Sequence, residues 1–196
     1  NIPSIESKTL EGNLSYLKIS RFSEDTAPLA IKAAEDFKKA GVKGVILDLR
    51  GNPGGYLESA VSVSSLWLKN KPVLTERRDG VTIKTYSSRG TATLLGVPTV
   101  VLIDEGSASA SEITAGALHD NNVATLIGIK SFGKGSVQEP KELPDGSLLK
   151  VTIARWFTPK GKNIDKEGIT PDQKVDRSLD DYKTGKDPQL DAAQNK

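Results

Sequence analysis

Apolar residues occur in two patterns along the first part of the chain, as short runs and at helical spacing. Residues 14–19 form a short, mostly apolar run that is typical of a strand. Residues 23–40 carry apolar side chains at helical spacing before Gly41, a common helix terminator. Residues 45–49 form a second apolar run, which ends at the glycine-rich segment 51–55 and is followed by another helical pattern. The pattern therefore predicts a strand, a glycine-rich turn and a helix in succession.

The remainder of the chain repeats this plan and adds two hairpins. The strands predicted there cover residues 72–77, 81–86, 99–103, 124–129, 137–143 and 148–157. Asp79-Gly80 is a strong two-residue turn signal between the first two of them, and residues 143–147 form the turn between the last two. A helix is predicted over 109–119, and another begins at Asp187-Pro188, where Asp can cap and Pro can occupy the first helical position. This alternation predicts the α/β (α+β) class, with mixed sheets and flanking helices.

Length, composition and charge exclude several classes of protein. The 196 residues suit one domain, and 27 Lys and Arg against 25 Asp and Glu leave a net charge of +2. A net charge this small gives no strong electrostatic field that would attract nucleic acid or an anionic membrane surface. The absence of Cys excludes thiol catalysis, disulfides and cysteine-based zinc sites. The chain begins with Asn1 and has no Met, so we expect a processed or excised piece, and no apolar run is long enough to span a bilayer.

Ser109 is a candidate nucleophile because it lies where a predicted strand turns into a predicted helix. Backbone N–H groups at a helix start have no intrahelical acceptor and attract negative charge, as an acyl-transfer enzyme requires. The same segment has a purely structural interpretation, because Ser109 and Glu112 match a capping box. Ser107 and Ser111 are the neighbouring alternatives.

A nucleophilic serine needs a base, and the only His of the chain cannot supply it. His119 lies ten residues along the same predicted helix, roughly 15 Å away at about 1.5 Å per residue. A desolvated lysine is the remaining route, because burial disfavours the charged ammonium. Lys134 lies between two glycines and after Phe132. Residues 128–134 also match a phosphate-binding G-x-x-x-x-G-K loop, although Gly135 stands where Ser or Thr should bind magnesium.

The glycines of segment 51–55 can bring a bare backbone N–H against a ligand, or can serve only as a tight turn. Asp48 and Arg50 flank this segment and can pair to orient it, or can be exposed charges at a strand end.

Four motifs in this order together resemble the carboxyl-terminal processing peptidases, also called tail-specific proteases. The motifs are VILDLRGNPGG over 45–55, GSASASE over 106–112, FGKGSVQ over 132–138, and VTIARW over 151–156 with Thr158-Pro159. The resemblance covers residues 2–172, and four ordered motifs are far more specific than any one of them. It implies a crotonase/ClpP-like ββα-type core.

The resemblance also implies roles for individual residues. Ser109 corresponds to the nucleophile and Lys134 to the general base, while Gln138 would hold the lysine amine by a hydrogen bond. The N–H groups of Gly55 and Ala110 would form the oxyanion hole. Two acidic positions, Glu112 and Asp120, would support the site, and no metal or organic cofactor is implied.

The front of the chain departs from the family pattern. Members generally carry a peptide-binding PDZ module upstream, so we expect residues 1–172 to be the protease core alone, without that module and the helical region before it. Residues 173–196 are expected to form a polar C-terminal extension with a short helix. The implied partners are protein or peptide C-terminal tails, with no nucleic acid or membrane contact, and an oligomer is compatible. The implied location is extracytoplasmic in a bacterium, or less readily the chloroplast lumen.

Two alternatives remain at this stage. A non-catalytic module on the same fold could bind apolar ligands such as retinoids, but such a carrier has no use for Ser109, Lys134 and Gln138 together. An acyl-CoA-type enzyme is the other, because the expected core resembles the crotonases.

Overall fold

The computed structural model describes residues 2–143 and 145–196. Its strands are β1 (Ile5–Leu10), β2 (Leu14–Ile19), β3 (Gly44–Asp48), β4 (Pro72–Arg78), β5 (Val81–Ser87), β6 (Thr99–Ile103), β7 (Thr125–Gly128), β8 (Ser136–Glu142), β9 (Leu148–Phe157) and β10 (Gln173–Lys174). Its helices are α1 (Thr26–Ala40), α2 (Leu57–Ser64), α3 (Ala110–Asp120), α4 (Leu179–Thr184) and α5 (Pro188–Gln194). Asn1 and Pro144 lie outside the described residues, and so do the expectations that involve Asn1 and the complete turn 143–147.

The larger sheet has six strands in the order β1-β2-β3-β6-β7-β10. Its strands are parallel from β2 to β10, and β1 alone pairs antiparallel, with β2. The central strands β3 and β6 are buried along their whole length, which explains why they read as continuous apolar runs rather than alternating ones. The carboxyl ends of these two parallel strands therefore meet at one edge, where segment 51–55 and the start of α3 follow them.

Helices cover both faces of this sheet. The main core is formed by α1, α2 and α3 against one face, where it includes Leu17, Leu47, Trp67 and Ile113. A smaller cluster lies on the opposite face, where α5 contributes Ala193. The C-terminal segment, defined as residues 173–196, thus supplies both a strand of the sheet and a helix over its second face.

The smaller sheet has four antiparallel strands in the order β5-β4-β9-β8. Most residues of β5 and β8 and the first half of β9 are exposed. Helix cover is therefore sparse on this sheet, where α3 packs against β4.

The expected α/β class with mixed sheets and flanking helices is confirmed. β2 has the predicted bounds, α1 ends where Gly41 adopts a left-handed conformation (φ 61°), and Asp187 caps α5 with Pro188 in the first turn. β1, β10 and α4 are not among the predicted elements. β1 and β10 form by pairing with β2 and β7, whereas α4 begins at a local capping box of Ser178 and Asp181. The description of the C-terminal segment as a polar extension with one short helix is incomplete, since it contains two helices and joins the main sheet. None of the helices in the described ranges combines the length and apolar character that crossing a bilayer requires.

Candidate active site

Ser109 occupies a strained position immediately before α3. Its backbone has φ 55° and ψ −113°, outside the regions that residues with a side chain favour. A backbone of this kind costs of order 1–3 kcal/mol and tends to occur at functional sites. Glycine would adopt the conformation with less strain, so the presence of serine indicates that the hydroxyl has a use. The turn also leaves Ser109 at the carboxyl end of β6, facing segment 51–55.

The carboxylate of Glu112 ties the serine turn to the loop that carries Lys134. Glu112 is fully buried, and its Oε2 accepts the backbone N–H of Ser109 at 2.9 Å and that of Lys134 at 2.8 Å. Its Oε1 accepts the hydroxyl of Ser131 at 2.6 Å and the N–H of Gly133 at 2.7 Å. Four donors therefore satisfy one buried carboxylate, as a buried charge requires. The backbones of Ser109 and Lys134 share a single acceptor oxygen and are held next to each other.

The glycines of segment 51–55 lie directly against the serine turn. A Cβ added to Gly54 would approach the Ser109 Cβ to 2.7 Å and the Ala110 nitrogen to 3.0 Å. A Cβ on Gly55 would overlap the Phe22 carbonyl oxygen, and both glycines have positive φ values of 98° and 140°. Only glycine permits this approach. The N–H of Ala110, the first residue of α3, belongs to the amides that have no intrahelical acceptor.

Asn52 is a positioning residue that sequence reasoning missed. Its buried side chain donates to the Ile19 carbonyl at 2.7 Å and accepts the Gly54 N–H at 2.9 Å. Its backbone carbonyl accepts the Ala108 N–H at 2.9 Å, so the glycine turn and the serine turn are joined at this residue. The signal was present in the sequence, because Asn bonding its own backbone two residues later is an Asx turn.

The structure separates Ser109 from the two neighbouring serines. Ser107 is fully buried and donates its hydroxyl to the Leu49 carbonyl at 2.8 Å. Ser111 is also fully buried and donates to the Asn52 carbonyl at 3.0 Å. Both hydroxyls already have structural partners and no exposure to a substrate. Ser109 is therefore the best placed nucleophile of the three.

The expected burial of Lys134 is wrong. Its side chain is exposed, as is that of Gln138, and no hydrogen bond joins the two side chains among the described residues. The reason is their position: Lys134 lies in the loop before β8, and Gln138 lies on β8, an edge strand of the sparsely covered smaller sheet. The structure brings the backbone of Lys134 to the site and leaves its amine in solvent.

The positions of α3 and β8 bear on three further expectations. His119 and Asp120 lie at the end of α3 opposite Ser109, where His119 contacts Asp120 and Asp172 at 3.2 and 3.0 Å. His119 therefore lies far from Ser109, as expected for a residue that does not act as its base, and the supporting role of Asp120, at the same far end, stays a prediction. A phosphate-binding loop at 128–134 is also contradicted, because a strand follows it instead of a helix.

Within residues 2–143 and 145–196, no group of three or more His, Asp or Glu side chains is arranged to hold a metal ion. The site consists instead of a serine, a lysine loop and two backbone turns.

The sequence is similar to those of known peptidases. The model of peptidase family S41 matches residues 13–175. The carboxy-terminal processing protease CtpA of Bacillus subtilis (strain 168) is 42% identical over 193 residues, which are 97% of this chain and 40% of that protein. The chloroplastic carboxyl-terminal-processing peptidase 3 of Arabidopsis thaliana is 44% identical over 169 residues, 84% of this chain and 32% of the relative. This chain therefore spans less than half the length of these relatives.

The fold is also similar to solved structures of peptidases. The photosystem II D1 C-terminal processing protease superposes with a TM-score of 0.84 at 32% identity, covering 90% of this chain and 49% of the other. A putative peptidase from Parabacteroides merdae superposes with a TM-score of 0.81 at 21% identity, which indicates a shared fold. The family match over residues 13–175 includes the serine turn and the lysine loop, and the chain belongs to peptidase family S41.

Proposed function

We propose that this chain is the protease core of a serine endopeptidase that cleaves protein substrates near their carboxyl terminus. Ser109 is the nucleophile and Lys134 is the general base. The observation that carries the proposal is the buried Glu112, whose one carboxylate oxygen binds the backbone N–H groups of both residues. Such an arrangement fixes the distance between nucleophile loop and base loop before any substrate arrives.

The reaction begins with attack of the Ser109 Oγ on the scissile carbonyl carbon. Lys134, neutral in its reactive form, takes the hydroxyl proton as the new C–O bond forms. The N–H groups of Gly55 and Ala110 stabilise the negative charge that develops on the carbonyl oxygen. The C–N bond then breaks, and Lys134 returns the proton to the leaving amine. Water, deprotonated by Lys134, finally hydrolyses the acyl-enzyme and restores Ser109.

Because the side chain of Lys134 is exposed, the active site is complete only when a bound substrate covers this lysine. A protonated lysine cannot act as a base, and an amine in water strongly favours the protonated form. An extended substrate segment lying across the smaller sheet would cover Lys134 and remove water from it. Gln138 would then hold the amine in place, a contact that this proposal assigns to the covered state.

The substrate class and location follow the relatives and are proposals for this chain. The relatives are named for processing protein carboxyl termini, and they come from bacteria and a chloroplast. We infer that the substrates are protein or peptide tails and that the protein acts outside the cytoplasm. Such tails are unstructured and fit a site whose lysine needs a covering segment.

Degradation of an unfolded protein tests the activity. The wild-type chain and Ser109→Ala are incubated with casein and with a reporter protein that carries an unstructured carboxyl-terminal tail. Cleavage of the tail by the wild type, lost in Ser109→Ala, supports the proposal. Ser62→Ala, in α2, is the matched control and should cleave normally. Equal turnover by wild type and Ser109→Ala, or equal inertness of both, contradicts the proposed activity of this chain.

A further inference from the structure

Arg50 connects the turn of the proposed oxyanion hole to the C-terminal segment. Its guanidinium donates through Nε and Nη2 to both Asp48 oxygens at 3.0 and 2.6 Å. It also donates through Nη1 and Nη2 to both Asp187 oxygens, at 2.8 and 2.9 Å. Nη1 donates further to the Gln189 side-chain oxygen at 2.9 Å. One side chain, only 11% exposed, thus fixes β3 to the start of α5 in two bidentate contacts.

Arg50 is joined directly to the reactive loops through the main chain. The next residue, Gly51, donates its N–H to the Asp104 Oδ1 at 2.7 Å. The same Asp104 oxygen accepts the N–H of Gly106 at 2.9 Å, just before the serine turn. A movement of Arg50 would therefore displace segment 51–55 and loosen its contact with the turn that carries Ser109.

The C-terminal segment is built to hold this arginine. Asp187 has a second task, since its Oδ1 accepts the Leu190 N–H at 3.0 Å and caps α5. Gln189 is buried and donates to the Val175 carbonyl at 2.8 Å, beyond the end of β10. The charge partner and the helix cap are the same carboxylate, so docking of α5 and fixation of Arg50 occur together.

The pKa of Asp187 reflects its contact with Arg50. Burial alone would raise the pKa of Asp187, but the hydrogen bonds from Arg50 and Leu190 outweigh it and leave this pKa below its ordinary 3.8. A lowered folded-state pKa means that the contribution to stability is present above pH 3.8 and is lost as the pH falls through the folded value. The contact is therefore fully formed at neutral pH.

We propose that the C-terminal segment positions the oxyanion hole, with Arg50 as the positioning residue and Asp187 as its anchor. The inference rests on the proposed peptidase function and adds a part of the chain outside the four sequence motifs to its machinery. Neither residue contacts the reacting atoms, and both act through the conformation of segment 51–55.

Asp187→Asn tests the inference, because Asn retains the capacity to cap a helix and loses the charge. Asp191→Asn is the matched control on the same helix, with an exposed side chain. We expect Asp187→Asn to lower kcat about tenfold with KM within about twofold, because a small misplacement of reacting groups is costly. Amide hydrogen exchange of the peptide covering residues 50–56 should become at least about fivefold faster. Arg50→Lys should behave alike, and the double variant should add little.

Three results separate the possible failures. If Asp187→Asn equals Asp191→Asn in both kcat and exchange, the inference is wrong. If it lowers only the melting temperature, with exchange faster in α5 alone and kcat unchanged at low temperature, the segment is a structural clamp and the inference is also wrong. If wild type and Ser109→Ala are equally inert, the proposed function fails, and the exchange of residues 50–56 still decides whether Asp187 positions the turn.

Discussion

The two halves of the proposed dyad are built in opposite ways. Around Ser109 the structure is buried, with Glu112 and Asn52 tying three loops together by hydrogen bonds and Gly54 packed against the serine. Around the Lys134 side chain, in the loop before β8, the structure is open, and the outer strands of the adjoining smaller sheet are largely exposed. The difference supports the proposal that the nucleophile and the oxyanion-hole groups are organised in advance, while the base becomes effective only when a substrate covers it.

This asymmetry suits an enzyme that must not cleave at random. On the proposed mechanism, a serine with an organised oxyanion hole but a solvent-exposed base is inert toward a peptide that does not cover the lysine. Cover by an extended tail would supply the missing desolvation and link recognition to chemistry. We call the buried surroundings of Ser109 the closed half of the site and the exposed surroundings of Lys134 the open half.

The largest effect is expected for Ser109→Gly, which should abolish activity and stabilise the fold. Hydrolysis should fall by at least about 10³-fold, since the nucleophile is gone. Glycine relieves the strain at φ 55°, so the free energy of unfolding should rise by about 1 kcal/mol in urea denaturation. Ser62→Gly, inside α2, is the control and should lose about 1 kcal/mol with activity retained. A destabilised Ser109→Gly would contradict the strain at the serine turn.

Lys134→Arg should come next, with a loss of at least about 100-fold in kcat and an unchanged melting temperature. Arginine keeps the positive charge but cannot give up a proton at neutral pH, so it cannot serve as general base. Lys130→Arg, an exposed position earlier in the same connection, is the matched control and should be fully active. Peptide hydrolysis under saturating substrate measures both. Full activity of Lys134→Arg would remove lysine from the mechanism.

Glu112→Gln should damage the closed half in both stability and rate. The amide nitrogen of Gln would face backbone N–H donors where a carboxylate oxygen now accepts them, so at least one charge-assisted bond is lost, at about 1.5–3 kcal/mol. Glu58→Gln removes only an exposed pair with Arg89 and should change stability by less than about 0.5 kcal/mol. Thermal unfolding and kcat are the readouts. An unaltered Glu112→Gln would mean that the shared carboxylate does not organise the site.

The smallest effect is expected for Gln138→Ala, at no more than about fivefold in kcat and none in stability. The side chain is exposed and makes its proposed contact only when substrate covers the lysine. The kcat is measured with a long, tail-bearing protein and with a short peptide. We expect only the long substrate to cover β8. A loss comparable with that of Lys134→Arg would show that Gln138 belongs to a permanent dyad.

Local signals made the closed half predictable from sequence. The strand-to-helix step at Ser109 and the glycines of segment 51–55 carry their geometry in neighbouring residues, as do Gly41 at the end of α1 and Asp187 at the start of α5. Backbone preferences of Gly, Asp and Ser act within a few positions, so sequence spacing is sufficient to find them.

Distant contacts made the rest unpredictable. Burial of Lys134 depends on what lies over the smaller sheet, which no nearby residue determines, and the expectation of a buried amine was wrong. Asp120 shares a helix with Ser109 but lies at its far end. The contact between Arg50 and Asp187 joins residues 137 positions apart, and no local pattern indicates it. Strand β10 exists only because β7 offers it an edge.

Covalent labelling of Ser109 tests the central claim most directly. The wild type, Lys134→Ala and Lys134→Arg are reacted with a serine-directed fluorophosphonate carried on an extended peptide long enough to cover Lys134, and the modified residue and its rate are measured by peptide mass spectrometry. The account predicts modification of Ser109 alone, at a rate at least about 100-fold lower in both lysine variants. Modification at Ser107 or Ser111, or equal rates in all three proteins, would contradict it.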